Sequence, residues 1–321
     1  AMYSFRLIVL LAAILIITGC GNSPYEVSGQ HGNKTLSSWI TTSDKRLLLE
    51  KQPEIYFGES ARTSVLIEAD TSKKFQEMEG FGYALTGGSA MVLKKQLSDF
   101  NRKKLLQELF SKNADAVGIS YLRITVGGSD LDELLFTYND LPSGEKDLQL
   151  DRFNLAYDTL YLIPVLKEIL EINPDVKIMA SPWTAPVWMK TNQKFKGGSL
   201  LPEYYEVYAN YFVRYIQEMS RHGITIHAIT PQNETENPKN TPSLVMTAEE
   251  QLVFISDFLA PAFVKNSIGT EIVIFDHNAD HPEFPLHILN DSVARTSIAG
   301  TAFHLYLGEI KTLSQVYEQH P

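Results

Sequence analysis

The stretch Ile224-Thr225-Ile226-His227-Ala228-Ile229-Thr230-Pro231-Gln232-Asn233-Glu234 decides how the rest of the chain is read. It opens as a β-rich apolar run and ends by placing two amides and a carboxylate where that run gives way to a loop. Five similar runs lie near residues 81–85, 118–126, 176–180, 272–275 and 299–305. They are apolar on both faces, as strands buried in a parallel sheet must be. Amphipathic stretches of helical length separate them, at 97–110, 153–170, 203–219, 248–264 and 311–317, with a short turn near 286–292. Asn173-Pro174-Asp175 stops the second of these and Gly223 the third.

Alternating β and α units predict a parallel α/β fold. The choice lies between an open doubly wound sheet and a (β/α)8 barrel. No run leads through a Gly-rich phosphate loop into a helix; the nearest, Gly127-Gly128-Ser129-Asp130, precedes a long polar segment. Polar and aromatic residues instead follow one strand run after another, and chemistry gathered from several C-terminal strand ends is the barrel arrangement. Six units are counted where a barrel has eight, so residues 76–321 read as an incomplete (β/α)8 TIM barrel. Upstream, residues 51–75 hold two further strand patterns, at 54–57 and 63–69. Two strands alone make no stable sheet, so they are expected to belong to a small β-sandwich domain completed by residues past 321.

The remaining N-terminal residues read differently. Arg6, an apolar run at 7–17 and Thr18-Gly19-Cys20 describe a secretory signal over residues 1–20. Cys20 is the single cysteine, so no disulfide is available to it, and Ile17-Thr18-Gly19-Cys20 resembles the bacterial lipobox. The expectation is a lipoprotein tethered to the membrane through Cys20 at the bacterial cell envelope, with residues 21–50 as a flexible tether. An ordinary signal peptide with an incidental cysteine is the alternative. The net charge is −10 and no basic run follows the signal, which argues against a nucleic-acid partner. Apolar residues make up 44% of the chain, enough for a large core that would also absorb most of the 15 Tyr and 16 Phe.

Three segments carry candidate chemistry. Glu234, exposed where a strand opens, suits a general acid, and Asn233 beside it suits a sugar hydroxyl; alone, Asn-Glu reads by default as a solvated loop, and its position after the fourth strand is what favours the chemistry. The loop Ala180-Ser181-Pro182-Trp183-Thr184-Ala185-Pro186-Val187-Trp188 holds two tryptophans between prolines, flat faces on which pyranose rings stack. Capping the barrel is the structural alternative, more natural for Trp188 than for Trp183. Arg123 sits inside an apolar strand, where an unpaired charge is costly, and so requires a carboxylate near the barrel mouth. Asp130, farther along that loop, could bond a substrate hydroxyl or serve a structural pair. The run Asp276-His277-Asn278-Ala279-Asp280-His281 offers metal-ligand residue types without fixed geometry, so neither metal nor cofactor is expected.

Together these motifs resemble glycoside hydrolase family 30, the glucosylceramidase and β-1,6-glucanase group of the large barrel clan. The resemblance runs from about residue 78 to 308. It takes in Glu79-Gly80-Phe81-Gly82, Arg123 to Asp130, Ser181-Pro182-Trp183 with Trp188-Met189-Lys190-Thr191-Asn192, Thr230 to Glu234, Phe275-Asp276-His277-Asn278, and His304-Leu305-Tyr306. It implies that Glu234 is the acid/base, that Asn233 holds the sugar, and that Asp130, Trp183, His304 and Tyr306 line the subsite beside the scissile bond. Asp276 and His277 would support that subsite or touch sugar. The chain departs from the family pattern at Thr235, where Pro is usual, at Leu305, expected to face the barrel wall in place of Trp, and at Gly87, where Asp is frequent.

A retaining glycosidase needs a second carboxyl about 5–5.5 Å from the first, and its acid/base is expected to be kept protonated by its surroundings. The resemblance implies a nucleophilic Glu ending a seventh strand. Glu309 and Glu318 lie in the wrong elements, so the nucleophile is expected after Pro321 and the chain by itself is expected to be inactive. The expected substrate is a β-linked oligo- or polysaccharide, with β-1,6-glucan favoured over glucosylceramide. The competing reading is a glycan-binding surface lipoprotein without catalysis.

Overall fold

The computed structural model describes residues 35–57, 68–113 and 115–321. The expected signal with Cys20, and residues 63–67 of the expected strand 63–69, lie outside them. The chain divides into two units at Phe75 and Gln76.

In the first unit, Thr35–Leu36 pairs antiparallel with Ile55–Tyr56, and Trp39–Ile40 pairs with Glu50–Lys51. Thr35–Leu36 and Trp39–Ile40 fall inside the stretch read as tether, which is therefore drawn too long. Two-residue strands leave no period in a sequence, so composition alone could not find them.

The second unit is built on one parallel sheet: β1 (Gly82–Leu85), β2 (Tyr121–Val126), β3 (Lys177–Pro182), β4 (Ala228–Ile229), β5 (Glu271–Ala279) and β6 (Gly300–Gly308). Each strand pairs with its neighbour in sequence, from β1 through β6. A doubly wound sheet reverses its strand order at a switch point. This one never does, and five consecutive parallel crossovers in one direction are the wall of a TIM barrel.

The connecting helices of six or more residues are α1 (Gly87–Gln96), α2 (Asp99–Phe110), α3 (Leu162–Ile172), α4 (Tyr205–Arg221), α5 (Ala248–Val253), α6 (Ala260–Lys265), α7 (Glu283–Asn290) and α8 (Lys311–Gln319). A π turn over Phe254–Leu259 joins α5 to α6. Helix α1 was not expected, because Gly87-Gly88 at its start has the lowest helix propensity after proline. Thr86 overrides that by accepting the Ser89 N–H as N-cap. The glycines themselves are required by packing. A Cβ on Gly87 would lie 2.4 Å from Asp132 Oδ1, so the departure at Gly87 goes with the Asp132 carboxylate that takes the space.

Aromatic residues fill the layer between sheet and helices. Tyr208, Tyr211, Phe212 and Tyr215 of α4 are fully buried, and Tyr138 stacks on Tyr211 and Tyr215 at centroid distances of 5.9 and 5.6 Å. The sheet is buried at its centre and exposed at its two outer strands.

Candidate active site

Strand β4 is only two residues long by its ladder because a side chain takes one ladder position: His227 Nδ1 accepts the Ile178 N–H at 3.0 Å. The run continues as strand-like backbone to Thr230, whose N–H donates to Ala180 O at 3.0 Å. Pro231 then ends the pairing, and the chain turns so that Glu234 adopts a left-handed backbone with φ 49°. That turn is held across the sheet by the Glu234 N–H, which donates to Asp276 O at 2.8 Å.

Asp276 is the hub. Its Oδ2 accepts from Arg123 Nη2 and from Thr230 Oγ1, both at 2.7 Å, and its Oδ1 accepts from His304 Nε2 at 2.9 Å. Arg123 Nη2 also donates to Asn233 Oδ1 at 2.8 Å, and the guanidinium lies 5.0 Å from the centre of the Trp183 ring. Strands β2, β4, β5 and β6 and the loop after β3 thus meet at the C-terminal end of the sheet. Burial alone would raise the Asp276 pKa, but the Arg123 charge and the His304 hydrogen bond outweigh it and hold the carboxyl well below its usual range.

Glu234 is enclosed by donors. His304 Nδ1 donates to Oε1 at 3.1 Å, while Asn237 Nδ2 and Asn240 Nδ2 donate to Oε2 at 2.7 and 2.8 Å. The His304 hydrogen bond is the largest influence on the Glu234 pKa; it outweighs burial, which acts in the opposite sense, and with Asn237 holds the value below the usual one. The expectation that the surroundings keep Glu234 protonated is therefore corrected for the residues described. Every group touching the carboxylate is a donor or a cation, and such neighbours favour the charged form. For His304, burial works against the proton, yet hydrogen bonds to Asp276 and Glu234 prevail and raise its pKa to about 9. With both ring nitrogens protonated it bridges the two carboxylates.

Asn237 and Asn240 were not singled out in the sequence. Asparagines in a polar loop carry no period and no evident cost, so nothing marked them. Their loop is fastened by Lys190, a fully buried side chain whose Nζ donates to Thr184 Oγ1, Phe195 O and Ser243 O at 2.8, 3.2 and 2.7 Å. Burial pushes this ammonium down to about 7. Ser243 Oγ in turn donates to Asn240 O at 2.7 Å.

The remaining expected residues fall into two groups. Trp183 is buried under Arg123, and Gln232 Nε2 donates to its carbonyl at 2.8 Å. Trp188 is a core residue, its Nε1 donating to Asn139 O at 3.0 Å and its ring edge-on to Tyr204. His277 is buried beside the cluster, with a pKa lowered first by burial. Asp130, by contrast, is exposed and makes no hydrogen bond to the clustered residues; Asp132 is the carboxylate that ties this loop, accepting from Ser129 N and Oγ at 2.7 Å. Tyr306 is 81% exposed and meets only the edge of the His304 ring, at 6.0 Å between centroids. Leu305, expected to face the barrel wall, is 58% exposed on the outermost strand of the sheet. The register with β5 jumps from His304 to Gly308, so Leu305, Tyr306 and Leu307 leave the ladder and stand in solvent. Among the described residues, no three His, Cys, Asp or Glu side chains are grouped to hold a metal ion.

Residues 78–321 match the description Glycosyl hydrolase family 30 TIM-barrel domain. The chain is 34% identical over 252 residues to Endo-1,6-beta-D-glucanase BGN16.3 of Trichoderma harzianum, covering 74% of this chain and 50% of that protein. It is 30% identical over 267 residues to Putative glucosylceramidase 1 of Caenorhabditis elegans, covering 78% of this chain and 50% of that protein. Among solved structures, the endo-beta1,6-glucanase BT3312 superposes with a TM-score of 0.79 at 35% identity, covering 89% of this chain and 63% of that one. The chain thus spans about half the length of the curated relatives it matches. The family match covers all six strands of the sheet and every member of the strand-end cluster, and the chain belongs to glycosyl hydrolase family 30.

Proposed function

We propose that the protein carrying this chain is a retaining β-glycoside hydrolase with Glu234 as its acid/base, and that β-1,6-glucan is its substrate. One observation carries this reading. The Glu234 carboxylate stands at the end of β4 inside a ring of five groups that fix it and its neighbours: His304, Asn237, Asn240, Arg123 and Asp276. A general acid must be held within hydrogen-bonding reach of one oxygen, and a carboxylate fixed by this ring is suited to that task. Asn233 and Trp183, both held against Arg123, would orient the sugar.

The state of Glu234 in this arrangement is that of the base. To act as acid it must first take a proton, and in a retaining site a nucleophilic carboxylate about 5–5.5 Å away raises the acid/base pKa by like-charge repulsion. The nucleophile is proposed to lie past Pro321, at the end of a seventh strand. The names of two similar proteins, endo-1,6-β-glucanases, support β-1,6-glucan over a glucosylceramide. A lipid anchor at Cys20, holding the enzyme at the bacterial envelope, suits polysaccharide scavenging and is proposed with it.

The test is a product profile of the protein on β-1,6-glucan, xylan and aryl β-glucosides, with the anomer first released followed by NMR. Retention on β-1,6-glucan, with E234Q slower by about 10²–10⁴-fold, is expected. Xylan as the one good substrate would sink the choice of glucan. Hydrolysis by residues 21–321 alone, abolished in E234Q, would show that the nucleophile is not past Pro321. Capture of glucan without any hydrolysis would leave the binding-protein reading in its place.

A further inference from the structure

The hub residue Asp276 sits in an unusual backbone. Phe275 and Asp276 both adopt left-handed conformations, with φ 75° and 54°. Non-glycine residues reach this region at a cost, and two in succession persist only where the surroundings hold them. The register shows what the distortion is: Ala302 of β6 pairs with Phe275, but the next residue, Phe303, pairs with His277. Asp276 is an extra residue, a β-bulge in a parallel pair. The bulge turns its carboxylate toward Arg123 and His304 and its carbonyl toward the Glu234 N–H.

A bulge removes a backbone amide from its ladder, and a buried amide needs an acceptor. The Phe275 N–H finds one outside the sheet, in Gln251 Oε1 at 3.0 Å. Gln251 belongs to α5, has no exposed surface, and directs its Nε2 to Met246 Sδ at 3.9 Å. Met246 N–H donates to Thr235 O, next to the acid/base. One glutamine on the outer helix therefore touches both segments that set Glu234. The helix departs from α geometry directly beyond this contact, in the π turn over Phe254–Leu259.

We infer that Gln251 is a positioning residue for the acid/base: its side-chain carbonyl holds the Phe275–Asp276 bulge, and the bulge aims the groups that hold Glu234. This rests on the assignment of Glu234 as acid/base. Losing the acceptor lets the bulge relax, and Asp276 then turns away from His304. The groups facing the His304 ring are Glu234, Asp276, His277, Arg123 and Tyr306, of which the two carboxylates hold its proton.

The experiment compares Q251M, which keeps the shape and removes the acceptor, with Q251E, which keeps an oxygen opposite the Phe275 N–H. Both are made in the protein that carries this chain. Expected for Q251M is a kcat lower by about 10–100-fold with KM little changed. The His304 imidazolium, followed by NMR with H304N for assignment, should lose its proton at a pH lower by about one unit or more. Q251E should recover most of both. A folded Q251M with kcat and His304 titration unchanged would overturn the inference, and so would equal impairment of the two variants. Should Q251M not fold, Q251N serves instead, since its shorter arm withdraws the same acceptor. If the protein cleaves no β-glycoside, the functional assignment fails, while the His304 titration still decides whether Gln251 sets the bulge.

Discussion

At the centre of the sheet, Arg123, Asn233, Glu234 and Asp276 come from three strands and bond to one another directly or through His304. At its flank, the same strand that supplies His304 runs on into Leu305, Tyr306 and Leu307, which stand 58%, 81% and 58% exposed. The two regions are one residue apart in sequence. The difference is one of support: the central groups sit on strands paired on both sides, and each is fixed by at least two partners. The flank residues have left the ladder with β5. A carboxylate that exchanges a proton has to be placed to a fraction of an ångström, whereas an aromatic face that meets a sugar does not.

The strongest way to break the contrast is to remove the hub. D276A strands the Arg123 guanidinium, whose side chain is only 22% exposed, and takes one of the two carboxylates from His304. Deleting one partner of a buried pair leaves an uncompensated charge and costs about 3–5 kcal/mol, to be read from chemical denaturation. D276N should cost clearly less, since the amide oxygen still accepts from Arg123 or Thr230. Equal stability of D276A and the unsubstituted protein would mean that Arg123 escapes to water and the centre is no better supported than the flank.

The pH dependence sharpens the same point. The pKa of His304 rises from 6.5 to about 9 on folding. Its contribution to stability is thus present in full below pH 6.5 and is lost as the pH climbs through about 9. Glu234 and Asp276 shift the opposite way, so their contributions are present above about pH 4.5 and 3.8 and decline as the pH falls below those values. Stability should therefore form a plateau between about pH 5 and 6.5, with H304N flattening its alkaline side. An alkaline side equally steep in H304N would place that titration elsewhere.

What could be read from the sequence follows the same division. Six strands announce themselves by apolar runs, and Arg123 inside one of them demands a carboxylate partner because an isolated charge there is so costly. Glu234 was legible because it follows the fourth strand. The partners that tune it were not: Asn237 and Asn240 reach it from a loop whose path depends on Lys190, Thr184 and Ser243, residues far apart in the chain. The bulge was hidden for a different reason. Phe275 is a residue type that favours strands, yet it takes a left-handed backbone, and the Gln251 side chain that accepts its N–H lies 24 positions earlier.

The smallest effect is expected at the flank. Tyr306 has one aromatic neighbour, the edge of the His304 ring, and Y306A removes little that is buried. Its stability should change by less than about 0.5 kcal/mol. If Tyr306 lines the subsite, the loss appears instead in KM for the β-glycoside, with kcat held, because a stacking face binds the ground state and the transition state alike. A fall in kcat without a change in KM would mean that the ring acts through His304 on Glu234. The flank would then have to be counted as part of the supported centre, and the boundary between the two regions would move from His304 to Tyr306.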